Sequence, residues 1–155
     1  MLWRSYLSNE AVQRALKASS AYGRGEWWHI ERMGPRAVSR FKVVWRDVAD
    51  RFVPAAETSG AVPGHTAHYA VAESPEETYY LLAYLLAPQI NAIVREISPW
   101  VWHVEPGFLS YFSIPKYRAD CAAHRRLAEL GREISERGTD AETEKKIEKL
   151  VKEKC

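Results

Sequence analysis

Seven cationic side chains crowd one part of the amino-terminal half: Arg24, Arg32, Arg36, Arg40, Lys42, Arg46 and Arg51. Three indoles, Trp27, Trp28 and Trp45, stand among them in GRGEWWHIERMGPRAVSRFKVVWRD, residues 23–47. A hydrophobic core has no use for guanidiniums interleaved so closely with indoles, whereas a surface that grips a flat polyanion does. Arginines and lysines on phosphates supply affinity and register, and one or two arginines reaching guanine edges supply specificity. Arg36, in a Gly-Pro turn, and Arg40 are the residues best placed to reach outward. Trp27 and Trp28 are adjacent, so on a strand one faces in as core; the outward one, Trp28, is free to stack on a base. The competing reading is a solvated charged face, with Arg46 paired to neighbouring Asp47 and Arg51 to Asp50.

The wider charge distribution points the same way. Net charge is only +2, but residues 1–60 carry ten basic against six acidic side chains, and residues 61–114 one against five. A basic half beside an acidic half suits a polyanion partner. The acidic middle segment then faces away from it.

Catalysis needs converging groups, and none are legible. No serine sits in a nucleophile elbow, and no glycine-rich loop carries the lysine that phosphates require. His65 and His68 in HTAH lie three apart on an expected strand, on opposite faces, which is wrong for joint metal ligation. SPWVW, residues 98–102, is similar to the motif that holds a flipped adenine in amino-methyltransferases, but it lacks the first polar residue and the first proline. ETEKK lies in a charged, solvated helix. No catalytic residue, metal site or cofactor is expected. Cys121 and Cys155 are far apart in sequence and make neither a disulfide framework nor a zinc spacing, which suits a reducing cytosol. No run approaches the roughly 18 apolar residues that a membrane span needs, and Met1 opens no signal-peptide pattern. The expected setting is cytoplasmic, without a membrane partner.

The elements that must carry these residues form an α+β pattern. LSNEAVQRALKASS reads as a short helix with Ser8 as its N-cap, and GPR, residues 34–36, as a turn. FKVVWR alternates as a strand with one buried face and one basic face, Trp45 on the buried side. RFVPAAE and HTAHYAVAE read as two more strands. SPEETYYLLAYLLAPQINAIVREI is the clearest helix: Ser74 and Glu77 make a capping box, Pro75 sits at the first helical position, and Pro88 should kink or split it. Its wide apolar surface marks a buried central helix. PWVWHVEPG and FLSYFSIPKY read as strands closing the sheet. Beyond them Leu127, Leu130 and Ile134 line one helix, Gly138 stops it, and Thr139 with Glu142 caps another bearing Ile147, Leu150 and Val151. These last stripes are thin and need a partner surface.

Four segments carry a family resemblance: YGR at Tyr22–Arg24, KVVWRDVADRF at Lys42–Phe52, YYLLAYLLAPQIN at Tyr79–Asn91 and SIPKY at Ser113–Tyr117. In order and spacing, over roughly residues 20 to 130, the chain resembles the TaqI-like C-terminal specificity (target recognition) domains of DNA adenine methyltransferases and type IIG restriction–modification enzymes. Type I specificity subunits carry related domains. Ala87 and Leu86 stand where that family usually has serine and asparagine. The resemblance implies an α+β fold whose twisted mixed or antiparallel sheet presents loops to the DNA major groove. It also implies a methyltransferase partner that binds S-adenosylmethionine, for neither that site nor its catalytic motif is present here. The domain organisation expected is a target-recognition-like domain over 1–114 and a helical connector or dimerisation segment over 115–155.

The function expected is therefore a non-catalytic reader of double-stranded DNA, serving a catalytic subunit supplied in trans or surviving as a detached remnant. Its contact residues would be Arg24, Trp28, Arg32, Arg36, Arg40, Lys42, Arg46 and Arg51. The alternatives are a structural module that homodimerises through its C-terminal helices, and an RNA-binding domain using the same basic and aromatic surface.

Overall fold

The computed structural model describes residues 8–18, 34–49, 51–97, 104–153 and 155. It divides into two compact units, Met1–Arg36 and Ala37–Cys155. In the first, helix α1 spans Glu10–Ala18. Its cap is Asn9 rather than Ser8: Asn9 Oδ1 accepts from the Ala11 and Val12 N–H groups at 2.9 and 3.4 Å. Both residue types cap well, and the helix starts one residue too late for Ser8 to serve.

The second unit is α+β. Strands β1 (Lys42–Arg46), β2 (Ala55–Glu57) and β3 (Ala67–Val71) form an antiparallel sheet in the order β2-β1-β3. Val43 and Trp45 turn their side chains to the core, opposite Ala56, Ala70 and His68 on the flanking strands. The Trp45 indole N–H donates to the Val104 carbonyl at 2.7 Å, and Phe52 and Phe108 meet its ring edge-on at 5.9 and 5.7 Å. At the end of β2, Glu57 Oε1 accepts from the Ser59 hydroxyl and from the Ser59, Gly60 and Ala61 N–H groups, with Gly60 at φ +92°. The Ser59 hydroxyl, and then these amides, hold the Glu57 carboxyl below its ordinary range despite slight desolvation. A carboxyl depressed in the folded state contributes stability present above about pH 4.5 and lost as pH falls through its folded value. Protection against hydrogen exchange at Ser59, Gly60 and Ala61, taken relative to the intrinsic rate at each pH, should therefore fall in Glu57→Gln, and in the parent chain at acid pH but not near neutrality.

Helices α2 (Pro75–Leu85) and α3 (Pro88–Ile97) occupy the long apolar segment, divided before Pro88 as expected. Ser74 Oγ accepts from the Glu77 N–H at 3.1 Å, while the Glu77 carboxylate reaches back to the Glu73 N–H at 2.6 Å. α2 is the centre of the unit, burying Tyr80, Leu82, Ala83 and Leu85. Each buried leucine of this kind is worth about 1.5–3 kcal/mol. The Tyr80 hydroxyl donates to the Pro115 carbonyl at 2.9 Å, tying α2 to the segment that leads into the last helices. Burial pushes the Tyr80 phenol well above the usual tyrosine range, so it remains a donor. Tyr80→Phe leaves that carbonyl without its donor and should cost about 1–2 kcal/mol in a denaturant titration.

Residues Pro106–Tyr111 form a 3-10 helix, not the strand expected of FLSYF; Pro106 pre-sets the turn, and Phe108 anchors it against Phe52 at 5.0 Å. Most of PWVWHVEPG lies outside the described residues. Helix α4 (Ala122–Arg137) ends at Gly138 with φ +83°, as read from the sequence. Helix α5 (Ala141–Leu150) is capped by Asp140, which accepts from the Thr143 N–H at 2.8 Å, instead of by Thr139. α4 lays Leu127, Leu130 and Ile134 into the core with α2, and Ile147 of α5 is fully buried. The thin stripes find their partner surface within the chain.

A disulfide joins Cys121 to Cys155, with Cα atoms 5.6 Å apart. This corrects the reading of two isolated cysteines: α4 and α5 double back, so residues distant in sequence meet. No described helix is long and apolar enough to cross a membrane.

Candidate functional site

Arg46 closes β1 and is exposed. The carboxylate beside it is otherwise engaged: Asp47 Oδ1 lies 3.0 Å from His68 Nε2, and the Asp47 N–H donates to the Thr66 carbonyl at 3.0 Å. The expected alternative, Arg46 neutralised by its neighbour, is not what the chain builds. Further on, Phe52 is drawn into the core against Trp45 and Phe108, which leaves Arg51 and Val53 directed outward in extended alternation. Arg46, Ala49, Arg51 and Val53 then line one depression of about 190 Å³. Among the described residues, neither guanidinium has a carboxylate within ion-pair distance. Asp50, the neighbour expected to pair with Arg51, lies outside the described residues. Without a carboxylate partner among the described ones, two cations over one hollow repel, and an anion placed between them relieves that repulsion.

The other expected contacts are distributed differently. Arg40 is exposed at the opposite end of β1, about 20 Å from Arg46 along an extended strand. Its Nε donates to the Thr58 carbonyl at 3.4 Å, and its guanidinium stands 5.5 Å from the Phe41 ring. Arg36 is exposed in the turn over residues 35–38 and belongs to the first unit. Arg24, Trp28 and Arg32 lie outside the described residues.

Lys42 corrects the expectation of a wholly basic face. It is 0% exposed and its ammonium donates to the Ser39 carbonyl. β1 is the central strand, so Lys42 is flanked by Glu57 and Val71, and its stem is covered before it can reach solvent. A buried ammonium requires an acceptor, and the nearby main chain supplies one. Its ammonium is therefore not presented at the surface.

No protein-family model matches this chain, and no curated protein does. The resemblance to specificity domains rests on its four sequence segments alone.

Two further assemblies arise only in the fold. A groove beside α4 is lined by Glu76, Tyr117, Arg125, Ala128, Glu129, Arg132 and Glu133, three acids against two bases, with Arg132 paired to Glu76 at 3.5 Å. The other is Cys121, His124 and Cys155, whose ligand atoms all lie within 4.8 Å of one another. Sequence reasoning missed this trio. Its local signal was C-x-x-H in CAAH, residues 121–124, one helical turn; Cys155 carried no signal, because its place depends on the α4–α5 reversal. His124 is buried, and burial, followed by the Arg118 charge, holds its imidazole below the usual range and therefore neutral near pH 7.

As for catalysis, Asp47 and His68 form an acid–imidazole pair, yet among the described residues no serine, threonine or cysteine hydrogen-bonds to that ring. Its visible role is to fasten the end of β1 to β3.

Proposed function

We propose that this chain is a non-catalytic reader of double-stranded DNA, a target recognition module for a methyltransferase or restriction subunit supplied by another polypeptide. What supports the reading is Arg46 and Arg51, which have no carboxylate partner among the described residues, over one depression at the end of β1. Phosphate oxygens fit such a site, because guanidiniums fork onto them and backbone phosphates dominate duplex affinity. Arg40 at the far end of the strand adds a second contact; Arg36, which belongs to the other unit, is proposed separately as an arm for a base edge. The partners that go with this reading are duplex DNA and a DNA methyltransferase subunit, and the setting is the cytoplasm. There, cellular thiols would keep Cys121 and Cys155 reduced. Because the stripes of α4 and α5 are occupied within the chain, dimerisation through them has no support of its own.

The test is a salt-dependent titration of the full chain with duplex DNA. Arg46→Ala with Arg51→Ala should weaken binding roughly tenfold or more and lower the salt slope by about 2, since each lost phosphate contact releases about 0.9 fewer counterions. Lys42→Met, which removes a cation buried from the surface, should leave both quantities unchanged. An unaltered slope in the double variant would remove the site. Tighter binding to single-stranded RNA than to the duplex would replace the reading with the RNA one.

A further inference from the structure

We propose that Cys121, His124 and Cys155, once their disulfide is reduced, form a binding site for one thiophilic divalent cation, of which zinc is the representative. Cys121 is the N-cap of α4, and His124 follows three positions later, so thiol and imidazole stand on the same side of the first helical turn. Cys155 arrives from beyond α5, which is held in place by buried Ile147 and by the Asp140 cap. The three ligand atoms lie within 4.8 Å of one another. Small side-chain rotations bring such atoms to the roughly 2.0–2.3 Å bond lengths of zinc, for which two thiolates and an imidazole are a favoured donor set.

The same sulfurs thus have two exclusive states. A dithiol reductant passes two electrons and two protons to the S–S bond, which breaks into two thiols while the reductant closes to its own cyclic disulfide. Each thiol then gives its proton to solvent as the cation binds, and two thiolates balance the double charge. The positive end of α4 favours the thiolate at Cys121. His124 Nδ1 accepts from the Arg118 N–H at 3.0 Å, so a cation on that nitrogen takes the donor's place and leaves the N–H to water at an exposed turn. Arg118 itself is neutralised by Asp120, through two hydrogen bonds of 3.1 Å, which lessens its repulsion of a cation. Three protein ligands leave a fourth position open to water or to a donor from a partner.

The experiment uses the full chain, reduced with a phosphine, freed of it under anaerobic conditions and titrated with cobalt(II). The expected result is one equivalent bound, with the intense visible bands of tetrahedral cobalt and a thiolate-to-cobalt charge-transfer band, both lost when zinc is added. The oxidised chain should give neither. Cys155→Ser should weaken binding more than about a hundredfold, beyond the ten- to hundredfold that loss of an outer partner costs. His124→Gln, with folding checked by circular dichroism, should weaken it comparably. Comparing reduced with oxidised parent chain keeps the test decisive if either variant misfolds. Weak, pale, octahedral cobalt in the reduced chain would overturn the site, as would undiminished affinity in folded His124→Gln.

Discussion

Gly131→Ala is expected to destabilise the protein by about 3 kcal/mol, lowering the thermal midpoint by roughly 10 °C. An added Cβ at Gly131 would stand 1.9 Å from the Tyr79 carbonyl oxygen and 2.7 Å from its carbon. Both are backbone atoms of α2, so no side chain can swing aside. The two helices would have to part along the seam where Leu127, Leu130 and Ile134 meet the core. Arg132 would lose its seat 5.2 Å from the Tyr79 ring and its contact with Glu76. Alanine is the better helix former by about 1 kcal/mol, which offsets part of the cost but not the separation of a packed interface. Calorimetry of parent and variant, both oxidised, decides it. A midpoint unchanged or raised would mean that α2 and α4 do not approach so closely.

The second large effect concerns the Cys121–Cys155 bond, which closes a loop of 34 residues. Cross-linking removes closure entropy from the unfolded chain, and for this length the gain is about 4 kcal/mol at 25 °C. Cys155→Ser should therefore unfold at markedly lower denaturant than the oxidised parent and match the metal-free reduced parent. An exposed serine at that position disturbs no packing, so the difference reads the cross-link alone. Equal midpoints for oxidised and reduced chains would show that the loop ends are already held together in the denatured ensemble.

What could be read in advance was whatever depends on near neighbours. Ser74, Pro75 and Glu77 announce the start of α2, Pro88 its division from α3, and Gly138 the end of α4, because capping and ring sterics act within a few residues. Trp45 was assignable to the core by alternation alone. Cap choice was less secure: Asn9 stands in for Ser8, and Asp140 for Thr139, since adjacent residues of equal capping strength are separated only by where the helix begins. Lys42 defeated the pattern, because alternation gives a side chain's direction but not what two flanking strands lay over it. The trio of Cys121, His124 and Cys155, and the convergence of Arg46 and Arg51, depend on chain reversals that periodicity does not encode. Pro106–Tyr111 has the composition of a strand and the backbone of a turn.

The cage around Trp45 also has a spectroscopic consequence. With its N–H committed to Val104 and its faces fenced by Phe52 and Phe108, this indole is 3% exposed. Its emission should lie at the blue end of the tryptophan range and resist iodide and acrylamide, and a red shift on anion uptake would betray the sheet's end prised away from the ring cluster.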